Sequence, residues 1–132
     1  MVVDTSALIA IAWDEPERER FQDDIEREPV RLISAASLLE ASIVVMRRAG
    51  HGAAARAVEA LSQLIEQLGL EIEPVTPEQV RLAQLAYRTY GKGLHPAGLN
   101  FGDCSAYALS KAARRPILFK GGDFAQTDLL IA

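Results

Sequence analysis

Four carboxylates stand at positions where an acid is either costly or exposed to a specific use. Asp4 follows the apolar pair Val2 and Val3 and precedes "TSALIAIAW". Glu40 interrupts the apolar stretch "SLLEASIVV". Asp103 lies in "GLNFGDCSAYALSK", after a glycine-containing turn, and Asp123 lies in "KGGDF", directly after "PILF". Taken singly, each has an ordinary explanation. Asp4 and Asp103 can be helix N-caps, worth about 1 kcal/mol each; Asp123 can be a loop acid, and Glu40 can sit on the exposed stripe of a helix. Gathered together, the four would repel one another strongly, and a carboxylate with apolar neighbours on both sides is costly unless paired or metal-bound. An oxygen-only cluster of this kind suits Mg²⁺ or Mn²⁺. The single Cys104 and the two histidines, His51 and His95, are too few for a Cys/His zinc site. The chemistry within reach is therefore that of a carboxylate-held divalent ion, which activates a water and neutralises charge on a phosphoryl group.

The elements that must position these acids can be read from local pattern. "MVVD" reads as a short buried strand and "TSALIAIAW" as the helix after it; "EPERERFQDDIER" is a polar helix with Pro16 near its start. "VRLIS" is a second strand, and Ser34 N-caps a helix over "AASLLEASIVVMRRA" that Gly50 ends. Residues 53–68 place Val58, Leu61, Ile65 and Leu68 at helical spacing, closed by Gly69. "LEIEPV" alternates as a strand does, and Thr76 with Pro77 opens a helix that runs through Tyr90 to Gly91. After a Gly/Pro-rich loop over 91–102, "DCSAYALSKAARR" is expected as a helix beginning at Asp103, "PILF" as a strand, "KGGDFAQT" as a loop and "DLLIA" as a last strand. Strands alternating with helices imply an α/β domain whose mainly parallel sheet is sandwiched by helices. Open parallel sheets bind ligands beyond the carboxyl ends of their strands; local order places Asp4, Glu40 and Asp123 at that edge, and Asp103 can join them if its helix begins there. With 132 residues and no repeat or linker, the chain is expected to form one domain spanning 1–132.

Composition narrows the classes further. Hydrophobic residues at 49% and charged residues at 24% belong to a globular chain. No apolar run approaches the roughly 20 residues of a membrane span, and the N-terminus lacks a basic region, which argues against a signal peptide. A lone cysteine fits a reducing, cytoplasmic compartment. The net charge of −4 hides an asymmetry: residues 1–80 carry fifteen Asp or Glu against seven Lys or Arg. Residues 81–120 carry Arg81, Arg88, Lys92, Lys111, Arg114, Arg115 and Lys120 around the single acid Asp103. A basic field around an isolated carboxylate is what a polyanion site shows, although a solvated basic face has the same composition.

"VVDTSALIAI", "SLLEA", "YRTYGKGLHPAGLNFGDCSAYALSK" and "PILFKGGDF" together resemble the PIN-domain ribonucleases, and among them the VapC-type toxins of bacterial toxin–antitoxin pairs. The resemblance runs from Met1 to about Asp128. It implies a three-layer α/β/α sandwich and a metal-dependent endoribonuclease using Mg²⁺, with Mn²⁺ as a substitute. By position, the family's metal ligands fall on Asp4 and Asp103, its third acid on Glu40 and its variable fourth acid on Asp123. Relatives often carry a further acid or Asn beside that last Asp, where this chain has Gly122. Thr5 and Ser6 are candidates for hydrogen bonds that fix the Asp4 rotamer, or are simply first-turn helix residues. Arg88, Lys92, Lys111 and Lys120 are candidates for contacts to the RNA backbone. The resemblance also implies a homodimer, an RNA substrate such as transfer RNA, and a VapB-type antitoxin that covers the acidic site. The apolar surplus of residues 35–49 and 53–68 is consistent with such surfaces.

Cys104, Trp13, Tyr87, Tyr90 and Tyr107 read as core, and His51 and His95 as turn residues without partners. Among rival readings, a phospho-receiver needs an acceptor Asp closing the middle strand, which "LEIEPVTPE" does not offer. An aspartyl phosphatase shows Asp-x-Asp where this chain has "DTS". A catalytically silent binding module of the same fold remains the alternative.

Overall fold

The strands are very short, two or three residues each, and three of the four survive because every side chain on them is buried, β3 being the exposed edge. The computed structural model describes residues 1–132. In chain order the elements are β1 (Val2–Val3), α1 (Thr5–Ala12), α2 (Arg18–Arg27), β2 (Leu32–Ser34), α3 (Ala35–Ala49), α4 (Ala54–Leu68), β3 (Glu71–Glu73), α5 (Pro77–Tyr90), α6 (Phe101–Ala113) and β4 (Ile117–Leu118). Single 3₁₀ turns lie at His51–Ala53 and Phe124–Gln126. The sheet order is β3-β2-β1-β4 and every pairing is parallel. Val2 stands opposite both Leu32 and Ile117, so β1 is interior.

Successive strand side chains point to opposite faces of a sheet, and the core divides accordingly. Val3, Ile33 and Leu118 pack with Leu8 and Ile11 of α1, Phe21 and Ile25 of α2, Val45 of α3 and Leu61 and Ile65 of α4. Ile117 packs with Ala106 and Tyr107 of α6, Ala86 of α5 and Phe124; Val2 and Leu32 meet Leu109 of α6. Four helices cover one face and two cover the other, the expected three-layer sandwich.

The helix boundaries follow their capping chemistry. Ser34 accepts a hydrogen bond from the Ala36 N–H, and Thr76 accepts one from Gln79 with Pro77 in the first turn. Gly69 closes α4 in the left-handed conformation, at φ 62°. Two expectations need correction. The segment "DLLIA" is not a strand: it touches β4 only through a bridge between Ile117 and Ile131, and Leu130 stays exposed. Helix α6 begins at Phe101, two residues before Asp103, because Asn100 is the N-cap. Among the aromatics, Tyr107 is buried, but Tyr87 is exposed on α5. Trp13 is half-buried beneath the Arg48 guanidinium, 4.1 Å from its ring. His95 does find partners, since its Nδ1 accepts from the Ala97 N–H at 3.1 Å and its ring packs edge-on against Tyr90. No helix is long and apolar enough to cross a membrane.

Candidate active site: a carboxylate cluster at the carboxyl edge of the sheet

Asp4 is the residue at which β1 becomes α1. Its N–H bonds the Leu118 carbonyl at 2.9 Å, so the end of β4 fixes its backbone. Its side chain caps α1: Oδ2 accepts from the Ser6 N–H at 2.9 Å and from the Ser6 hydroxyl at 2.6 Å. The Ser6 oxygen in turn accepts from the Lys120 N–H at 3.0 Å. One carboxylate is thus held by the helix it caps and, through Ser6, by the loop after β4. Asp4 is nearly inaccessible, with 3% of its surface exposed. Burial is the main reason its carboxyl is pushed above the ordinary aspartate value; the Ser6 bonds oppose that shift and the charge of Glu40 adds to it.

Glu40 comes from the second turn of α3, which places it back over the start of α1. The Thr5 hydroxyl lies 2.7 Å from Glu40 Oε2 and 3.2 Å from the Ser37 carbonyl. With one proton to give, Thr5 bonds the ionised carboxylate more strongly. Thr5 and Ser6 therefore divide the work: Ser6 orients Asp4 and Thr5 orients Glu40. That second role was not foreseen for Thr5, because the partner lies 35 residues away.

Asp103 occupies the third position of α6 rather than its cap. Its Oδ2 accepts from the Asn100 N–H at 2.7 Å, while its own N–H donates to Asn100 Oδ1 at 3.0 Å. This reciprocal capping box locks both side chains. The spacing Asn-x-x-Asp is the sequence signal that could have located it. Burial first, and then the charges of Asp4, Asp123 and Glu40, push the Asp103 carboxyl up to about 6 against the lowering bond from Asn100. The charges of all three other acids thus bear on Asp103, and that of Glu40 bears on Asp4 as well. Asp123 is the exposed member, at the start of the 3₁₀ turn that buried Phe124 anchors.

The candidate RNA contacts separate into two groups. Arg88 and Lys92 line an open groove of about 940 Å³ between α5 and α6, whose wall includes Asn100, Phe101 and Cys104. Lys111 and Lys120 are engaged within the chain. Lys111 Nζ lies 2.8 Å from Asp128 Oδ2, and Lys120 Nζ lies 2.6 Å from Glu15 and 2.9 Å from Glu17. Cys104 is buried and its thiol is pushed up to about 11, mainly by burial, so it is an inert packing residue here.

The donor set fits a hard divalent cation. It consists of oxygens alone, and the two innermost carboxyls are raised by burial and mutual repulsion, a cost that a cation offsets. No three such side chains close into a cage able to hold an ion unaided. Mg²⁺ does not need one, since it is commonly held by one or two carboxylates with waters and substrate phosphate oxygens.

Comparison with known proteins agrees with this arrangement. The PIN domain family matches residues 1–130. The ribonuclease VapC30 of Mycobacterium tuberculosis is 44% identical over 129 residues, covering 98% of this chain and 95% of that protein. The chain belongs to the VapC ribonuclease family of PIN domains. Solved structures extend the likeness of fold. VapC20 of Mycobacterium tuberculosis, described as a toxin that cleaves the sarcin–ricin loop, superposes with a TM-score of 0.77 at 20% identity, covering 99% of this chain and 97% of that one. A toxin–antitoxin complex from Klebsiella pneumoniae contains a chain that matches at TM-score 0.70 and 16% identity, with 99% and 95% covered.

Proposed function

We propose that the protein is the toxin of a toxin–antitoxin pair, an endoribonuclease that hydrolyses RNA phosphodiester bonds with Mg²⁺, or Mn²⁺ in its place. The observation that carries this reading is the buried Asp4 carboxylate held by Ser6 at 2.6 Å, with Glu40 held by the adjacent Thr5 at 2.7 Å, in a chain that the PIN domain family matches over residues 1–130. Asp4 and Asp103 would hold the ion directly, and Glu40 and Asp123 through water or beside a second ion. The ion supplies Lewis-acid stabilisation of the phosphoryl oxygens and a water acidified for attack. The chain itself supplies orientation. Ser6 fixes the Asp4 rotamer, Asn100 fixes Asp103, and Thr5 holds Glu40 by Oε2, leaving Oε1 to accept a hydrogen bond from the attacking water. Arg88 and Lys92 are the cations best placed to meet the RNA backbone. Structured RNA, transfer RNA first, is the substrate to test.

Two surfaces suit the proposed partners. Between α1, α2, α3 and α4 lies a groove of about 460 Å³, with Ile11, Trp13, Val45, Leu61 and Leu64 on its walls and Arg18 and Arg48 beside them. An amphipathic helix of a VapB-type antitoxin, apolar inward and acidic at its edges, fits such a groove. On another side, Leu39 and Ile43 of α3, Val80 and Tyr87 of α5, Leu94 and Phe101 are exposed. Exposed apolar side chains of this kind mark interaction surfaces; Val80, Tyr87, Leu94 and Phe101 share the groove with Arg88 and Lys92, so the homodimer proposed through this face would form at the rim of the RNA-binding groove.

The test combines metal and residue. Purified protein should cut cellular RNA with Mg²⁺ and stop in excess chelator. Asp103→Asn keeps the shape needed for the capping box, so it should stay folded. Losing a residue that merely orients a metal ligand costs about 10–100-fold, and losing a ligand should cost at least the larger figure. Unchanged cleavage in chelator would refute the metal mechanism. Harmless expression of soluble protein, with no cleavage of total RNA and nothing to rescue by co-expressing its genetic neighbour, would refute the toxin reading.

A further inference from the structure

Glu40 must reach across from α3 to join acids carried by β1 and α6, and the place it reaches is the backbone of Gly102. A Cβ built on Gly102 would lie 2.2 Å from Glu40 Oε2, 2.5 Å from Oε1 and 2.6 Å from the carboxyl carbon. Non-bonded carbon contacts are comfortable only at about 3.5–4.0 Å. All three carboxyl atoms therefore occupy the space that any other residue's side chain would fill. Opposite, the Thr5 hydroxyl grips Oε2 at 2.7 Å. The carboxylate is seated between a donor on α1 and a missing side chain on α6.

We infer that Gly102 is a positioning residue: its bare Cα is the seat that lets Glu40 stand beside Asp103 and Asp4. Gly102 carries no left-handed φ, so backbone conformation does not require glycine there. Glycine is in fact a poor residue inside a helix, costing stability relative to alanine. What a side chain at 102 would displace is the far end of a flexible glutamate, not backbone. The fold can therefore accept Gly102→Ala by swinging Glu40 out of the cluster. Stability and activity should move in opposite directions, which a purely structural role for the glycine does not allow.

This inference rests on the nuclease reading, and its test separates the two. Gly102→Ala should melt no lower than the wild type in chelator, yet cleave RNA about a hundredfold more slowly, as a misplaced active-site group does. Its rise in melting temperature on adding Mg²⁺ should also shrink. Glu40→Asp shortens the side chain by one C–C bond, about 1.5 Å, and so removes the clash. In the Gly102→Ala background it should restore cleavage by about tenfold, a coupling typical of residues in contact. Glu40→Ala and Glu40→Ala/Gly102→Ala should be equally slow, because the seat is then empty in both. Wild-type cleavage by Gly102→Ala, additive losses in the double variant, or an unfolded Gly102→Ala protein would each overturn the inference. If the wild type itself cuts no RNA, the nuclease reading fails instead. The seat is then judged on Mg²⁺ alone, where equal shifts in melting temperature for wild type and Gly102→Ala count against it.

Discussion

Burial first, and the charges of neighbouring acids after it, give Asp103 a pH signature. Its carboxyl is raised to about 6 in the folded, metal-free protein from an ordinary value of 3.8. Between those values the folded state binds more protons than the unfolded state, so stability falls as pH rises through that window. Thermal melts in chelator from pH 4 to 7.5 should show this slope in the wild type and a flatter one in Asp103→Asn. A divalent cation competes with the same proton. The Mg²⁺-induced rise in melting temperature should therefore be small at pH 5 and reach its full size above about pH 7. An equal shift at both pH values would remove Asp103 from the metal site. Local sequence marked only Glu40 as out of place among its neighbours; Asp4, Asp103 and Asp123 drew notice through their shared place at one edge of the sheet. It did not reveal the cap of α6, where Asn100 takes the role assigned to Asp103, nor the pairing of Thr5 with Glu40. Both depend on where a side chain turns, not on its type.

At the scale of elements, the loop after β4 is tied to the site twice. Its backbone bonds Ser6 through the Lys120 N–H, and the Lys120 ammonium reaches Glu15 and Glu17 in the connection between α1 and α2. These ion pairs are partly exposed, so they add little to global stability, but they set the position of the loop that carries Asp123. Lys120→Ala should leave the melting temperature almost unchanged, as the loss of an exposed ion pair does. If Lys120 acts as this tether, the loss should appear mainly in kcat; if it meets the RNA backbone, it should appear in KM and in a shallower salt dependence. Helix periods and capping residues made most elements legible, from Ser34 and Thr76 to Gly69. The tether was not legible, because its partners lie more than a hundred residues apart in the chain. The last expected strand failed for a related reason: "DLLIA" has strand composition, but only Ile131 lies in register with β4.

At the scale of the molecule, apolar patterning pointed to surplus surface on α3 and α4, but only α3 exposes large apolar side chains, Leu39 and Ile43. Val80, Leu85 and Tyr87 add a larger exposed share on α5, where Tyr87 reads from sequence as core. A dimer through this face should be visible by light scattering at micromolar concentration. Val80→Glu, placed away from the four acids, should shift it toward monomer while leaving the fold intact. A wild-type protein that is strictly monomeric would remove the dimer and leave the exposed face without that explanation.

β1 lies between β2 and β4, and this has a consequence for how the protein is born. The first strand to leave the ribosome is completed by the last strand made. Asp4 donates its backbone N–H to the Leu118 carbonyl, and the Ser6 hydroxyl oxygen accepts from the Lys120 N–H. A nascent chain can therefore collapse α1 to α4 around half a core while the catalytic edge stays unassembled. Pairings between such distant segments form late, since loop closure must precede the contacts that reward it. The carboxylate edge would thus assemble only after β4 has been made, with the helices of the other half already packed.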